Sequence, residues 1–593
     1  MLNAAKRLPF PMVRSIPPPA SLRRAFMVLA VLVLAGVGAT RIILTYHVFC
    51  QTYDEPASVA AGMEWLDRGT YRVDYSHPPL ARLAVALGLY LDGLRLPAGG
   101  SELPLRGDEL VFAPQSWVQV GNQILYARDQ YSHNLALARL GVLPFFFLAA
   151  AVVWVWSRTA FGDMSALLAV FLFTTLPPVL AHAGLATTDM VFAATFVVAL
   201  LAFIYWLECP TYLRSSVLGL AVALAILSKF SALLFLPACG LAMLACRWRA
   251  RRNGTGSREV PLPRRATAIA LTMVTSFLVI WGGYRFSAHT ITRLADRPHE
   301  RIDLSVGAEG TLHRLAYLVA ERAPLPAPEL LMGIQYQRLH AARGQLDYLF
   351  GEANKTGWWY FFPIVLAVKS PLPFLILSGI GLVILGVQGC QGADWRALAP
   401  AAIAVTLLLV CMPSRINIGV RLILPIYPIL AIVAGFGAIR LWNLARPKWV
   451  GPAMVIVLLL WQLTASVRAH PDYLAYFNEL GGSSPERIVV DSDLDWGQDL
   501  LRLAEALRAR KIDSVSIDYF GSADLSRHSL PHIQRLLPYQ PTTGWIAISK
   551  SRLKHGEGKP PYRGYAWLES HEPVALIGRS ILLYYVRASA AGQ

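Results

Sequence analysis

Eleven apolar stretches lie between residues 25 and 468, each long enough or nearly long enough to cross a bilayer. They run over roughly 25–46, 136–156, 164–182, 188–207, 215–229, 231–246, 267–285, 370–388, 397–412, 418–439 and 451–467. A segment in hydrocarbon must satisfy its own backbone hydrogen bonds, so stretches of this kind become helices. The expected fold is an all-α polytopic membrane bundle with about eleven transmembrane helices.

Composition agrees. The chain of 593 residues is 55% hydrophobic and 15% charged, against about 25% charged in ordinary soluble domains. Basic residues, among them Lys6, Arg7, Arg14, Arg23 and Arg24, precede the first apolar run. That run is about 22 residues long with no small-residue cleavage site after it, which reads as an uncleaved first helix. The six cysteines form no CxxC pair and no disulfide framework.

The net charge of +17 does not point to nucleic acid, because its placement explains it. Starting from a cytoplasmic N-terminus, every second loop is basic: Arg158; Arg214; the group Arg247, Arg249, Arg251, Arg252, Arg258, Arg264 and Arg265; Arg396; and Arg440, Arg446 and Lys448. Such alternation orients a membrane protein with its basic loops inside. The outer face then receives a large first loop (47–135), a second long loop (286–369) and the tail (468–593). The expected domains are a cytoplasmic segment 1–24, a transmembrane catalytic module 25–467 and an extracytoplasmic α/β domain 468–593. In the tail, 488–491 reads as a short strand, 497–511 as a helix, and 514–520, 544–549 and 573–586 as strands.

Polar residues gather at the outer rim. Asp54-Glu55-Pro56 follows the first span and opens an apolar-periodic helix, Glu55 to Asp67, suited to lie on the membrane surface. Asp54 there is either a helix cap or a reactive carboxylate. His77 stands before Pro78-Pro79-Leu80, at headgroup level. Asp189 ends the run Ala186-Thr187-Thr188-Asp189 at the start of the fourth span. Lys229, Lys369, Arg415 and Arg421 also sit at this rim. A cation at such depth is costly unless it meets an anion, and an anionic lipid-linked substrate accounts for all of them together. Trp358-Trp359-Tyr360-Phe361-Phe362 reads as an aromatic belt.

Taken in order, these motifs resemble the GT-C membrane glycosyltransferases. The resemblance is to the family 39 type, which groups protein O-mannosyltransferases with the lipid A aminoarabinose transferase. It rests on Asp54-Glu55, His77-Pro78-Pro79-Leu80, Asp189, Lys369-Ser370-Pro371-Leu372-Pro373, and Arg421 with Leu424-Pro425-Ile426-Tyr427-Pro428, and it covers about residues 25–440. It implies a sugar donor on a polyprenyl phosphate, a lipid bilayer setting in the bacterial inner membrane, and reaction on the extracytoplasmic side.

Carried over residue by residue, Asp54 matches the family's catalytic carboxylate and is expected to be the general base, while Glu55, its neighbour, and Asp189, the second-loop acid, are expected to position acceptor or donor hydroxyls. His77 stands where the mannosyltransferases have His and the lipid A enzyme a Lys. Together with Lys229, Lys369 and Arg421 it is expected to cradle the donor phosphate. The acceptor is left open among protein, lipid and glycan. A divalent metal is also left open, since His182 shares the outer face with the acids; no cofactor is demanded. The alternative is a polytopic transporter or lipid flippase. Its intramembrane charges would sit near the midplane of repeated halves, whereas these gather at one rim.

Overall fold

A computed structural model describes residues 20–98, 114–252, 262–290, 321–392, 394–444, 447–555 and 562–587. The proline-rich stretch before residue 20, Arg258 and the middle of the second long loop lie outside these residues. Eight of the described helices are long and apolar enough to cross a membrane: Arg23–Ile43, Tyr131–Phe161, Asp189–Glu208, Ala232–Arg252, Arg264–Gly283, Leu372–Cys390, Ile426–Asn443 and Val450–Arg468. The chain is a multi-pass membrane protein. The shorter Tyr212–Ser228 and Trp395–Cys411, 17 residues each, rise about 25 Å, somewhat under the usual hydrocarbon thickness.

The stretch expected as one span at 164–182 is two helices, Asp163–Thr174 and Pro177–Ala183, bent by 64°. Pro177 and Pro178 explain the break. Neither donates a backbone N–H, and Leu176 before them is extended at φ −75°, ψ 118°.

At the centre of the bundle, the window within Ile426–Asn443 is 78% buried. Glycines let its neighbours approach backbone to backbone. A Cβ on Gly435 would lie 2.4 Å from the Ser165 carbonyl oxygen, and one on Gly437 would lie 2.2 Å from that of Leu377.

The helix Glu55–Arg68 does not lie exposed on the surface as its periodicity implies. Its apolar Val59, Ala60 and Met63 are buried, and so are Glu55, Ser58 and Glu64 on its other sides. Two further helices of the first long loop, Pro79–Leu91 and Pro114–Leu125, pack against it. A Cβ on Gly62 would meet the Arg82 carbonyl at 2.0 Å, and one on Gly121 would meet that of Pro56 at 2.0 Å.

The tail holds a five-stranded mixed sheet of β1 (Ser514–Asp518), β2 (His532–Arg535), β3 (Gly544–Ser549), β4 (Ala575–Ile577) and β5 (Ile581–Val586). The order is β2-β1-β3-β5-β4. β1 runs parallel to β2 and β3, while β5 is antiparallel to β3 and β4. The helix Leu500–Ala509 packs Leu500, Leu503 and Leu507 on the sheet. The expected strand at 488–491 is absent. Short 3-10 turns, Pro485–Arg487 and Asp491–Asp493, stand there. Val489 is buried in the core of the membrane body and Val490 beneath Tyr348, so the apolar run is a plug. Strand β2 (His-Ile-Gln-Arg) is mostly exposed and has no apolar alternation to announce it.

The tail is joined closely to the membrane body. Asn478 Nδ2 donates to the Ala367 and Ser370 carbonyls at 2.6 Å each, and Tyr473 is buried in the bundle core.

Since Gly62 has no room for a side chain, Gly62→Val should destabilise the protein by about 1–3 kcal/mol or more. Gly36→Ala, where nothing lies within 4 Å, should be neutral. Thermal unfolding in detergent reads both, and equal melting temperatures for the two variants would refute this packing.

Candidate active site

Asp54 occupies the position before the helix Glu55–Arg68, yet its side chain makes no capping hydrogen bond. Instead the carboxylate accepts from Arg421 Nη1 at 2.6 Å, with the two side chains 37% and 13% exposed. Arg421 lies on the 3-10 turn Val420–Ile423, just ahead of the central helix. The cap is therefore not made, and the partner Asp54 takes instead lies 367 positions away.

Asp189 opens its helix, and again the preceding Thr188 makes no side-chain cap. Its carboxylate accepts from Lys229 Nζ at 2.6 Å and from Thr187 Oγ1 at 3.3 Å. Lys229 ends the helix Tyr212–Ser228 in an extended conformation, φ −160° and ψ 138°.

His77 lies within electrostatic reach of Asp189, Lys229 and Arg421. Burial, then the charges of Arg82 and Lys229, hold its pKa well below the ordinary value, so it is neutral at neutral pH. Its Nδ1 lies 2.9 Å from Ser76 Oγ. The bent helix brings His182 to the same place, within reach of Asp189, Arg421, Lys369 and Lys229. Its Nδ1 is buried without a protein hydrogen-bond partner. No group of three or more His, Cys, Asp or Glu poised to hold a metal is present among the described residues.

Lys369 is 1% exposed. It donates to the Leu474 carbonyl at 2.7 Å and to the Asp493 carbonyl. Burial lowers its pKa to about 8. Its hydrogen bonds thus face the tail, and its charge reaches the cluster from behind.

Glu55 is fully buried. It takes Arg139 Nε and Nη2 at 2.9 Å each, and the backbone N–H groups of Thr52 and Ala186 at 2.6 and 2.8 Å. Burial pushes its carboxyl up, but Arg139 and these donors outweigh it and hold the pKa below the ordinary value. Folding thus lowers its proton affinity, so the pair stabilises at neutral pH. That contribution fades as pH falls below about 4.3. Through the Ala186 N–H, Glu55 ties the Asp54 loop to the loop before Asp189.

Asp54, Asp189, His77, His182, Lys229 and Arg421 therefore meet at one end of the bundle. Lys369 stands behind them, and Glu55 fastens the two acidic loops together. Three participants carried no assigned role in the sequence. Arg139 had a signal, being a lone cation inside the second apolar stretch. Trp496, whose ring lies 4.3 Å from the Arg421 guanidinium, and Asp491, within reach of Arg421 and Asp54, belong to an acidic tail segment that reads equally as turn and cap residues or as acceptor recognition, with nothing to pair it with Arg421.

Residues 132–284 match the model of a family described as dolichyl-phosphate-mannose-protein mannosyltransferase. This bears out the GT-C resemblance. The matched segment contains Arg139, His182, Asp189 and Lys229; Asp54, His77, Lys369 and Arg421 lie outside it. Among solved structures, the chain is similar to ArnT from Cupriavidus metallidurans bound to undecaprenyl phosphate, at 14% identity and TM-score 0.46, over 97% of this chain and 100% of that one. It is also similar to the archaeal oligosaccharyltransferase AglB from Archaeoglobus fulgidus in complex with an inhibitory peptide and a dolichol-phosphate, at 11% identity and TM-score 0.47, over 90% of this chain and 70% of that one. The comparison with curated proteins found no match.

Breaking the Glu55–Arg139 bridge should be costly. Arg139→Met strands a carboxylate in the interior and should cost about 3–5 kcal/mol, read as lost thermal stability in detergent. A variant as stable as the parent would show that the bridge does not hold the 46–55 loop to the second apolar helix.

Proposed function

We propose that the protein transfers a sugar from a polyprenyl-phosphate donor to an acceptor hydroxyl or amine at the extracytoplasmic membrane face. What carries this reading is the meeting of two acid–cation pairs, Asp54–Arg421 and Asp189–Lys229, at one end of a lipid-embedded bundle. The matched family model, whose description names a dolichyl-phosphate sugar donor, supports it.

The pairs suggest how the site is loaded. An arriving phosphate diester competes for Arg421 and Lys229, and Arg binds phosphate oxygens bidentately. Taking Arg421 frees the Asp54 carboxylate. Asp54 then accepts the proton of the acceptor as its oxygen or nitrogen bonds to the anomeric carbon. The bond from that carbon to the phosphate oxygen breaks, and its electron pair leaves with polyprenyl phosphate. Arg421, Lys229 and, from behind, Lys369 stabilise that charge. Attack opposite the leaving group inverts the anomeric carbon. Neutral His77 donates or accepts a single hydrogen bond at the phosphate or sugar. Asp189, once Lys229 turns to phosphate, orients substrate hydroxyls. Glu55 keeps Asp54 and Asp189 at a constant separation.

In membranes lacking the protein, the sugar-phosphate lipid should accumulate and one glycosylated product should vanish by mass spectrometry, which names donor and acceptor. Asp54→Asn should fold and lose about 10²–10⁴ in rate. Transfer at the parental rate by that variant would overturn Asp54 as the base. In the same assay Arg421→Lys, which keeps charge but loses the fork, should raise the donor KM more than it lowers kcat.

A further inference from the structure

We propose that residues 491–498 of the C-terminal domain form one wall of the reaction centre, where Trp496 positions Arg421 for the donor phosphate and Asp491 is an additional acid facing the substrate. This rests on the transferase reading and extends it to a domain for which the motifs imply no role.

The segment touches the membrane body at the site itself. Cys50 N–H donates to the Gln498 carbonyl at 2.9 Å, and Tyr53 N–H to the Trp496 carbonyl at 3.1 Å. The pairing ends one residue before Asp54. Across the cleft, Val420 N–H donates to Asp493 Oδ1 at 3.0 Å, one residue before Arg421. Both partners of the Asp54–Arg421 pair therefore hang on backbone that the tail holds.

The approach has required particular residues. Gly419 sits at φ +122°, and a Cβ there would lie 2.8 Å from Ser492 Oγ and 2.9 Å from Asp493 Cγ. Gly497 sits at φ +91°, and its Cβ would lie 2.8 Å from Gly521 Cα. Only glycine at these two positions lets the segment reach this deep and turn away again.

Trp496 is 2% exposed. Its ring faces the Arg421 guanidinium at 4.3 Å, and its centroid is 6.4 Å from that of His182. A guanidinium over an indole keeps its edge hydrogen-bond donors free. Arg421 can then exchange Asp54 for phosphate without losing its seat.

Asp491 has the left-handed φ of +55°, a conformation a non-glycine residue keeps only where its surroundings impose it. From 491 to 499 it alone is not fully buried. One carboxylate oxygen accepts from Ser492 N–H at 2.5 Å. It lies within electrostatic reach of both Arg421 and Asp54. An acid at that place is disposed to receive a hydroxyl of the sugar or acceptor.

Trp496→Phe and Trp496→Met, assayed in the full-length protein, test the first role. Both shorten the side chain, but only phenylalanine keeps an aromatic face. The Met variant should raise the donor KM and weaken inhibition by free polyprenyl phosphate about tenfold relative to the Phe variant, with kcat little changed. Asp491→Asn keeps the shape and tests the second role: kcat/KM for the acceptor should fall at least tenfold while inhibition by polyprenyl phosphate is unchanged. It decides for the wall if the Met variant does not accumulate. Parental constants for Asp491→Asn, or identical constants for the Phe and Met variants, would overturn the corresponding role. If Asp54→Asn is inactive while these variants behave as the parent, the wall is refuted and the transferase reading stands. If the parent itself transfers no sugar, the transferase reading falls.

Discussion

A carboxylate at the edge of hydrocarbon keeps its charge only where a cation meets it. The arrangement of this protein follows from meeting that need twice at the cleft and once behind it. Asp54 meets Arg421, Asp189 meets Lys229, and Glu55 meets Arg139. The first two pairs each make one short contact between single donor and acceptor atoms, which leaves other lone pairs and N–H groups for a substrate. The third is bidentate, wholly enclosed and further saturated by backbone donors. The contact at the cleft and the contact that holds the fold are thus separated between adjacent residues. Successive positions on a helix diverge by about 100°, so Asp54 turns to the cleft while Glu55 turns into the protein.

That division depends on how the chain arrives. Proline starts the helix after Asp54 and breaks the third span before His182, and each lies where a side chain must be presented at a helix end. Glycine makes the reverse contribution. It removes side chains where helices cross at Gly62, Gly435 and Gly437, and where the tail slides past Gly419. The rim is therefore held by backbone contact from several directions. If the site exchanges internal ion pairs for a phosphate as proposed, this backing keeps the groups that remain from shifting.

The tail changes the picture of the molecule most. Its sheet is an ordinary mixed sheet, but the 491–498 segment ahead of it is buried against the loops that carry Asp54 and Arg421. A division of the chain at residue 468 follows hydropathy and leaves this contact out of view. If Trp496 and Asp491 line the reaction centre as proposed, the C-terminal domain is a component of catalysis.

Much was legible in order along the chain. Apolar length settles that the helices exist and roughly where most of them lie, though not the break at Pro177 or the start of the central helix at Ile426, because hydrocarbon forces each segment to satisfy its own backbone. The charges stranded beside those helices mark Asp54, Asp189, Lys229 and Arg421 as residues needing partners, because an unpaired charge there is too costly. The sequence determined that much by itself. It did not determine which partner each charge takes, since Arg421 lies 367 residues from Asp54 and Trp496 further still. Neither did it show that helix periodicity at 55–67 would be enclosed on all sides, or that the apolar run 488–490 would plug the bundle instead of joining the sheet. Those outcomes depend on which surfaces meet. Local propensity carries no information about contacts at such separation, and only the tertiary structure decides them.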